Sequence, residues 1–491
     1  VDYHKDRIEL TRAAVEELFA SRVIERDGAP AVTPSTVYAV FDRSGIRYGA
    51  GFGDLGDVRT PTLRTAYRIA SCTKSFTAAA LMIIVERGLV ALDDPVDRYL
   101  QLGPLIGPDG TGAFPVLRQA QDPSGGVGVS APTLRQLAAM AGGLPTDDPW
   151  ADRQESLSSR AFRELLAAGI RFVAEPGERY EYSNLGFAML GAVIETVTGR
   201  DYIGFVTDEL IKPLGLTGIG YSDDLAGVDG VAVGHRRTGG EWEALPFSAP
   251  GAFSPIGGVF ASAAGLVDWI GWLSAAFDRG DDHDQPLGRL SRQLMQSIQT
   301  PYENNPGHHG YGLGLVVQEH PTHGRIVAHS GGYPGFGAHM RWHADSGIGV
   351  LAFENARYSQ PMRPTTQALE LILDEIARPG AEPSLWPETA AARLSIERLL
   401  RDWDDATAEK IFADNVALDE PMDRRRREIA ELVAEVDLDD EVLPLLESAP
   451  SSRTPAQLSW TVPGGNGSLR CEISLNPANP PKVQRLVVRR G

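Results

Sequence analysis

The amino-acid sequence predicts an α+β fold followed by a second, small α+β domain at the C-terminal end. Three observations carry this reading. Strand-like runs stand near both ends of the first 378 residues with apolar helical runs between them, and no fixed-period repeat runs through the chain. The pattern also changes character after ARPGAEPSLWP at 377–387, whose prolines and glycine read as a connection. The resulting boundaries are 1–378 for the first domain, 379–393 for a linker and 394–491 for the second.

The chain opens with a helix expected from about Arg7 to Ala20, and STVYAVFDRSGIRYGAGFGD then reads as two strands about a Ser-Gly turn. From Ser71 to Glu86, Phe76, Ala80, Ile83 and Ile84 recur at helical spacing and Gly88 supplies a stop. The stretch 103–132, rich in Gly, Pro and Asp, reads as an insertion or long loop near a cleft. A second apolar helix is expected from Leu185 to Thr198, ended by Gly199. RIVAH, AHMRW and IGVLAFEN read as three strands, followed by a helix over Thr365 to Ile376 with Leu369, Ile372 and Ile376 on one face. Beyond the linker come helices to about Glu435. LSWTVPGGNGSLRCEISL then reads as a hairpin in which Leu469, Cys471, Ile473 and Leu475 alternate onto one side. The run Arg424 to Arg427 lies between acidic clusters at 402–405 and 437–441 and reads as a solvated helix face.

Composition narrows the function classes. With 491 residues, 42% hydrophobic and 23% charged, the chain can bury a large core. Its 65 acidic and 46 basic residues give a net charge of -19, which repels phosphate backbones and anionic lipid, so neither nucleic acid nor a membrane is expected as a partner. The longest apolar run, AAALMIIV, falls well short of the roughly 20 residues of a bilayer span. VDYHKDRIEL lacks the marks of a secretion signal, which leans the expectation toward the cytoplasm. Cys72 and Cys471 alone make neither a disulfide framework nor a cysteine zinc site. His308, His309, His320 and His323, and GDDHDQP around His283, lack metal-ligand spacing, so no metal or cofactor is expected.

Lysine is scarce, and one of the few stands in RIASCTKSF, three residues after a serine. On a helix, Ser71 and Lys74 would lie about 5 to 6 Å apart at Cβ, near enough for an amine to take the hydroxyl proton. An ordinary first-turn lysine would look the same. In ERYEYSNLGF, Tyr182, Ser183 and Asn184 stand at a helix entrance, where Tyr182 packs or reacts and Asn184 caps or binds. In IVAHSGGYPGFG, His329 to Gly332 end a strand; the glycines either let a substrate approach the backbone or simply make a turn. Cys72 reads as a small core residue.

Taken together, these three elements resemble the serine β-lactamase and penicillin-binding-protein superfamily, on its class C side, which includes D-aminopeptidases, DD-carboxypeptidases, esterases and peptide cyclases. The order is the family's: Ser71 to Lys74, Tyr182 to Asn184, His329 to Gly331. GLVALDDPVDRYL, TLRQLAAMAGGLP, PGERYEYSN and YGLGL agree as flanks. The resemblance covers roughly residues 10 to 377. It implies a β-lactamase-like fold, an antiparallel sheet flanked by helices plus an all-helical region. It also implies Ser71 as acylated nucleophile, Lys74 as its proton partner and Tyr182 as the group passing the proton to the leaving group and later helping to activate water. Asn184 would bond the substrate amide, His329 would line the opposite wall, and the N–H groups of Ser71 and Gly332, beside Gly331, would hold the oxyanion.

Two departures bear on specificity. His329 replaces the lysine of the β-lactamase motif, which removes a fixed charge for a β-lactam carboxylate and resembles the D-aminopeptidase and DD-carboxypeptidase branches. MAGGLP stands where the family usually reads HTSGLP. The expected activity is hydrolysis of an amide or peptide bond in a small molecule or short peptide. A carboxylesterase and a peptide cyclase or transpeptidase fit the same residues, and a non-catalytic binding or sensor protein is the reading of another class.

Overall fold

A computed structural model describes residues 3–25, 30–55, 59–108, 110, 112–113, 130–278, 280, 284–304, 308–377, 385–438, 452 and 454–490. The chain forms two compact units, Val1–Ile376 and Ala377–Gly491.

Among the described residues the first unit holds an eight-stranded antiparallel sheet. Its order is Thr300–Pro301, His309–Tyr311, Val316–His320, Gly324–Tyr333, Phe336–His343, Gly349–Glu354, Ser35–Asp42, Gly45–Gly53. The N-terminal hairpin therefore pairs with the last strand of the unit, Val37 opposite Phe353 and Ala39 opposite Leu351. Both faces of the central strands are covered. Tyr38 and Val40 pack into one core with Phe19, Leu369 and Ile372, while Val37, Ala39 and Phe41 join a larger one. STVYAVF accordingly reads as a continuous buried run rather than a half-polar strand.

The larger core is built around helix Lys74–Glu86, in which every residue from Lys74 to Ile84 is buried. Phe76 stacks on Trp269 at 4.0 Å, and the Trp269 indole donates to Ser75 Oγ at 3.0 Å, so even the polar side of this helix is satisfied internally. Helix Asn184–Thr198 runs into the same core and ends at Gly199, whose φ of +68° is the left-handed cap glycine accepts.

Two expectations are corrected and one is extended. The opening helix is two, Tyr3–Leu10 and Arg12–Ala20, interrupted at Thr11, whose hydroxyl bonds Ile8 O at 2.7 Å and Tyr48 Oη at 2.9 Å. The linker assigned to 379–393 overlaps helix Pro387–Arg401, because Pro387 occupies the first helical turn, where a missing N–H costs nothing. A third strand, Val483–Arg490, extends the C-terminal hairpin Gln457–Gly464 and Gly467–Leu475.

In the second unit Leu469, Cys471, Ile473 and Leu475 share a core with Trp460, Ile396 and Leu399. Arg424 and Arg427 pair with Glu428 and Asp423 along helix Met422–Val436, a solvated charged face. Residues 114–129 of the expected insertion, the loop at His283 and residues 439–441 lie outside the described residues. Among the described residues no helix is long and apolar enough to cross a membrane.

Candidate active site

Strand Ala66–Arg68 feeds a 3-10 turn, Ala70–Thr73, that opens into helix Lys74–Glu86. Ala70 adopts φ +48°, a left-handed conformation that costs an alanine roughly 1–2 kcal/mol. Just after this bend Ser71 keeps 7% exposure, whereas Cys72, Thr73 and Lys74 keep none. Strand Gly324–Tyr333 presses on the bend from outside. A Cβ at Gly331 would collide with the Ile69 carbonyl and stand 3.0 Å from Ala70 Cβ, so the close approach requires glycine.

Lys74 Nζ makes three hydrogen bonds, to Ser71 Oγ at 2.9 Å, Asn184 Oδ1 at 2.7 Å and Ile256 O at 2.9 Å. Burial lowers its pKa to about 8, against the opposing pull of Asp148, Asp152 and Asp147. The Tyr182 ring centroid lies 5.1 Å from the same nitrogen. Burial first, then the Asp148 charge, raises the Tyr182 pKa well above its usual value, while a hydrogen bond with Ser71 works the other way. Ser71, Tyr182 and Asn184 therefore meet around the Lys74 amine.

Asn184 is held differently from the sequence expectation. It is the first residue of its helix rather than the cap; Ser183 is the N-cap and its side chain makes no capping bond. Asp147 caps the helix from another segment, accepting from the N–H groups of Asn184 at 2.7 Å and Leu185 at 2.9 Å. Asn184 Nδ2 donates to Asp148 Oδ1 at 2.7 Å, which fixes the amide so that Oδ1 faces Lys74. The MAGGLP loop thus leads into the acidic residues that orient the second motif.

His329 is 3% exposed and sits in the core rather than on an open wall; its neighbour Ser330 is the exposed residue. Ser330 O can only accept, so the 2.6 Å contact places the imidazole proton on Nδ1, and Nε2 accepts a hydrogen bond from the Tyr311 hydroxyl at 2.7 Å. Burial, then Lys74, depresses the His329 pKa to about 3, so this position carries no positive charge. Cys72 is buried with its thiol on His329 O at 3.4 Å, and burial raises its pKa to about 12.

Several residues of the site were not singled out from sequence. Asp147, Asp148 and Asp152 surround Lys74, and burial raises Asp152 to about 7. Arg68 and Glu155 form a buried ion pair completed by the Tyr333 hydroxyl, tying the strand before Ser71 to the strand carrying His329. Carboxylates and arginines are common everywhere, so only Tyr311, inside YGLGL, left a sequence trace. Among the described residues no group of three or more His, Cys, Asp or Glu side chains is placed to hold a metal.

The chain matches the family model described as Beta-lactamase over residues 20–374, and it belongs to that family, within the superfamily of β-lactamase- and penicillin-binding-protein-like serine hydrolases. It is similar to penicillin-binding protein 4* of Bacillus subtilis, 25% identical over 300 residues that cover 59% of this chain and 60% of that protein. The chain spans 56 to 60% of the length of the curated relatives it matches first. Among solved structures, the octameric penicillin-binding protein homologue from Pyrococcus abyssi aligns with a TM-score of 0.59 at 20% identity, covering 96% of each chain. A D-stereospecific amidohydrolase from Streptomyces sp. aligns with a TM-score of 0.55 at 20% identity, over 72% of this chain and 97% of that one. The β-lactamase-like fold expected from the motifs is thus the fold of this chain.

Proposed function

We propose that the protein hydrolyses an amide or peptide bond through an acyl ester on Ser71. The observation that carries this reading is the coordination of Lys74. A neutral amine has two N–H bonds and one lone pair. Asn184 Oδ1 and Ile256 O can only accept, so they take both N–H bonds and leave the lone pair directed at the Ser71 hydroxyl. With a pKa near 8, an appreciable fraction of Lys74 is neutral in mildly alkaline solution.

In this mechanism Ser71 Oγ bonds to the substrate carbonyl carbon and its proton passes to Lys74 Nζ. The N–H groups of Ser71 and Gly332 hold the oxyanion, each worth about 3 kcal/mol in transition-state stabilisation. As the C–N bond breaks, the leaving nitrogen takes the proton through Tyr182. Water then attacks the ester, releases the acid and restores the hydroxyl.

The raised pKa of Tyr182 favours an amide over an activated ester. A phenol that keeps its proton serves a departing amine, which needs one, whereas a good ester leaving group does not. Similarity to a D-stereospecific amidohydrolase and to penicillin-binding proteins points the same way. His329, buried and neutral, offers no charge to a β-lactam carboxylate. Asn184, bonded on both sides, orients Lys74 and keeps one amide N–H for the substrate.

The test is a panel of D- and L-amino acid anilides, short nitrophenyl esters and a penicillin, run on the wild type and Ser71→Ala. Turnover of an anilide that falls at least about a thousandfold in the variant is expected. Turnover of esters alone, or a variant within tenfold of wild type, rejects the reading.

A further inference from the structure

The second unit lies outside the residues matched by the family model and carries a groove of its own. One face of its three-stranded sheet is apolar, with Leu469, Cys471 and Ile473 packed among Ile396 and Leu399. The pleat turns the alternate residues to the other face. Register sets their neighbours there: Gln457 beside Ser474 and then Arg485, Ser459 beside Glu472 and then Val487, Thr461 beside Arg470 and then Arg489. All of these side chains except Val487 are polar or charged.

A solvated sheet face needs polar residues but not this choice of them. Arg470 and Arg489 stand directly opposite each other, a like-charge pairing that weakens a sheet. They share one carboxylate, Glu472, at 3.3 and 2.8 Å. Arg485 has no ion pair or hydrogen bond among the described residues. Three arginines around a single carboxylate leave this face positive in a chain whose net charge is -19. An anion relieves that repulsion, and the guanidinium fork suits carboxylate or phosphate oxygens.

The same face holds a groove of about 300 Å³, lined by Gln457, Ser459, Arg470, Glu472, Ser474 and Arg485 over the buried pair Leu458 and Ile473. The Gln457 amide and the Ser459 and Ser474 hydroxyls make no side-chain hydrogen bond among the described residues, so the groove presents donors and acceptors that folding has not used. No described aromatic side chain lines it, which leaves little to hold an apolar ring. Its size is that of a site for one small molecule. Guanidinium groups for a charge, with a carboxylate, an amide and two hydroxyls beside them, match a ligand that carries both an anion and hydroxyl groups.

We propose that the outer face of the C-terminal sheet binds a small hydroxylated anion, a sugar acid or a sugar phosphate. Arg470 and Arg485 take the charged group, and Glu472, Ser459, Ser474 and Gln457 take the hydroxyls. This site is independent of the acyl-enzyme reading of the first unit.

The test is calorimetric titration of the full-length protein with glucuronate and with glucose 6-phosphate, at low and high ionic strength, with glucose and inorganic phosphate as controls. Saturable binding of at least one sugar anion is expected, tighter than either control and weakened by salt. The tighter of the two sugar anions tells a carboxylate ligand from a phosphate one. Arg485→Ala should weaken binding about tenfold or more, because a charge-assisted contact is lost. Arg485 is exposed and without a partner among the described residues, so the variant should melt with the wild type. Glu472→Gln should weaken the sugar anions while leaving inorganic phosphate no weaker. No saturable binding of either sugar anion, or equal binding by Arg485→Ala, overturns the proposal. Glucose binding as tightly as the sugar anions overturns the role of the arginines, and inorganic phosphate binding as tightly overturns the role of the hydroxyls. Ser71→Ala should bind as the wild type does; loss of binding in that variant would move the site to the first unit and contradict the proposal.

Discussion

Lys74 Nζ donates to Asn184 Oδ1 at 2.7 Å across 110 residues of sequence, and this bond sets the direction of the amine that faces Ser71. Asn184 in turn is fixed by Asp148, so the orientation of the base is decided by a carboxylate that never touches the nucleophile. Asn184→Ala should therefore lower kcat by about 10- to 100-fold, with a smaller change in KM, because it leaves the amine free to turn. A kinetic comparison of the two parameters checks this.

The pH profile should carry the signature of Lys74. Its pKa is lowered to about 8, so kcat/KM for acylation rises with pH up to that value and then levels as the amine loses its proton. Asp152 raises the Lys74 pKa, so Asp152→Asn should move the rising limb to lower pH. A limb that stays in place would mean that another group sets it.

Stability should respond over neighbouring windows of pH with opposite sign. Between about 8 and 10.5 the unfolded chain holds a proton that native Lys74 has lost, so this residue's contribution to stability rises with pH there. Asp152, raised to about 7, keeps a proton between 3.8 and 7 that the unfolded chain has lost, so its contribution falls as pH rises. Denaturant titrations of wild type and Asp152→Asn should show the second slope reduced in the variant.

Tyr182→Phe separates proton donation from nucleophilic attack. It should slow anilide hydrolysis by about 10²- to 10⁴-fold and nitrophenyl ester hydrolysis much less, since only the amine requires a proton on leaving. Equal losses on both substrates would assign Tyr182 to activating Ser71 instead.

Gly331→Ala tests the packing that holds the nucleophile turn. The added methyl meets the Ile69 carbonyl and Ala70 Cβ, so the strand must move away from the bend at a cost of about 1–3 kcal/mol. Melting temperature and turnover should fall together. A variant that keeps both would show that the turn does not need this contact.

Sequence patterns revealed the groups that perform chemistry better than those that position them. Ser71 and Lys74 lie one helical turn apart, and the buried helices Lys74–Glu86 and Asn184–Thr198 carry apolar periodicity and glycine stops that are local signals. Asp147, Asp148, the Ile256 carbonyl and the Arg68–Glu155 pair act across folded distance, and nothing in their neighbours in sequence marks them. The interruption at Thr11 depends on Tyr48, and the start of the helix at Pro387 depends on proline acting as a first-turn residue rather than a breaker. Strand Val483–Arg490 is half polar along its length, and only pairing with Gly467–Leu475 reveals it.

The most direct measurement is intact-protein and peptide mass spectrometry after exposure to a fluorophosphonate. The account predicts one adduct per chain, located on Ser71, formed faster as pH approaches 8 and abolished in Ser71→Ala. An adduct on another residue, or equal labelling of wild type and Ser71→Ala, would contradict it.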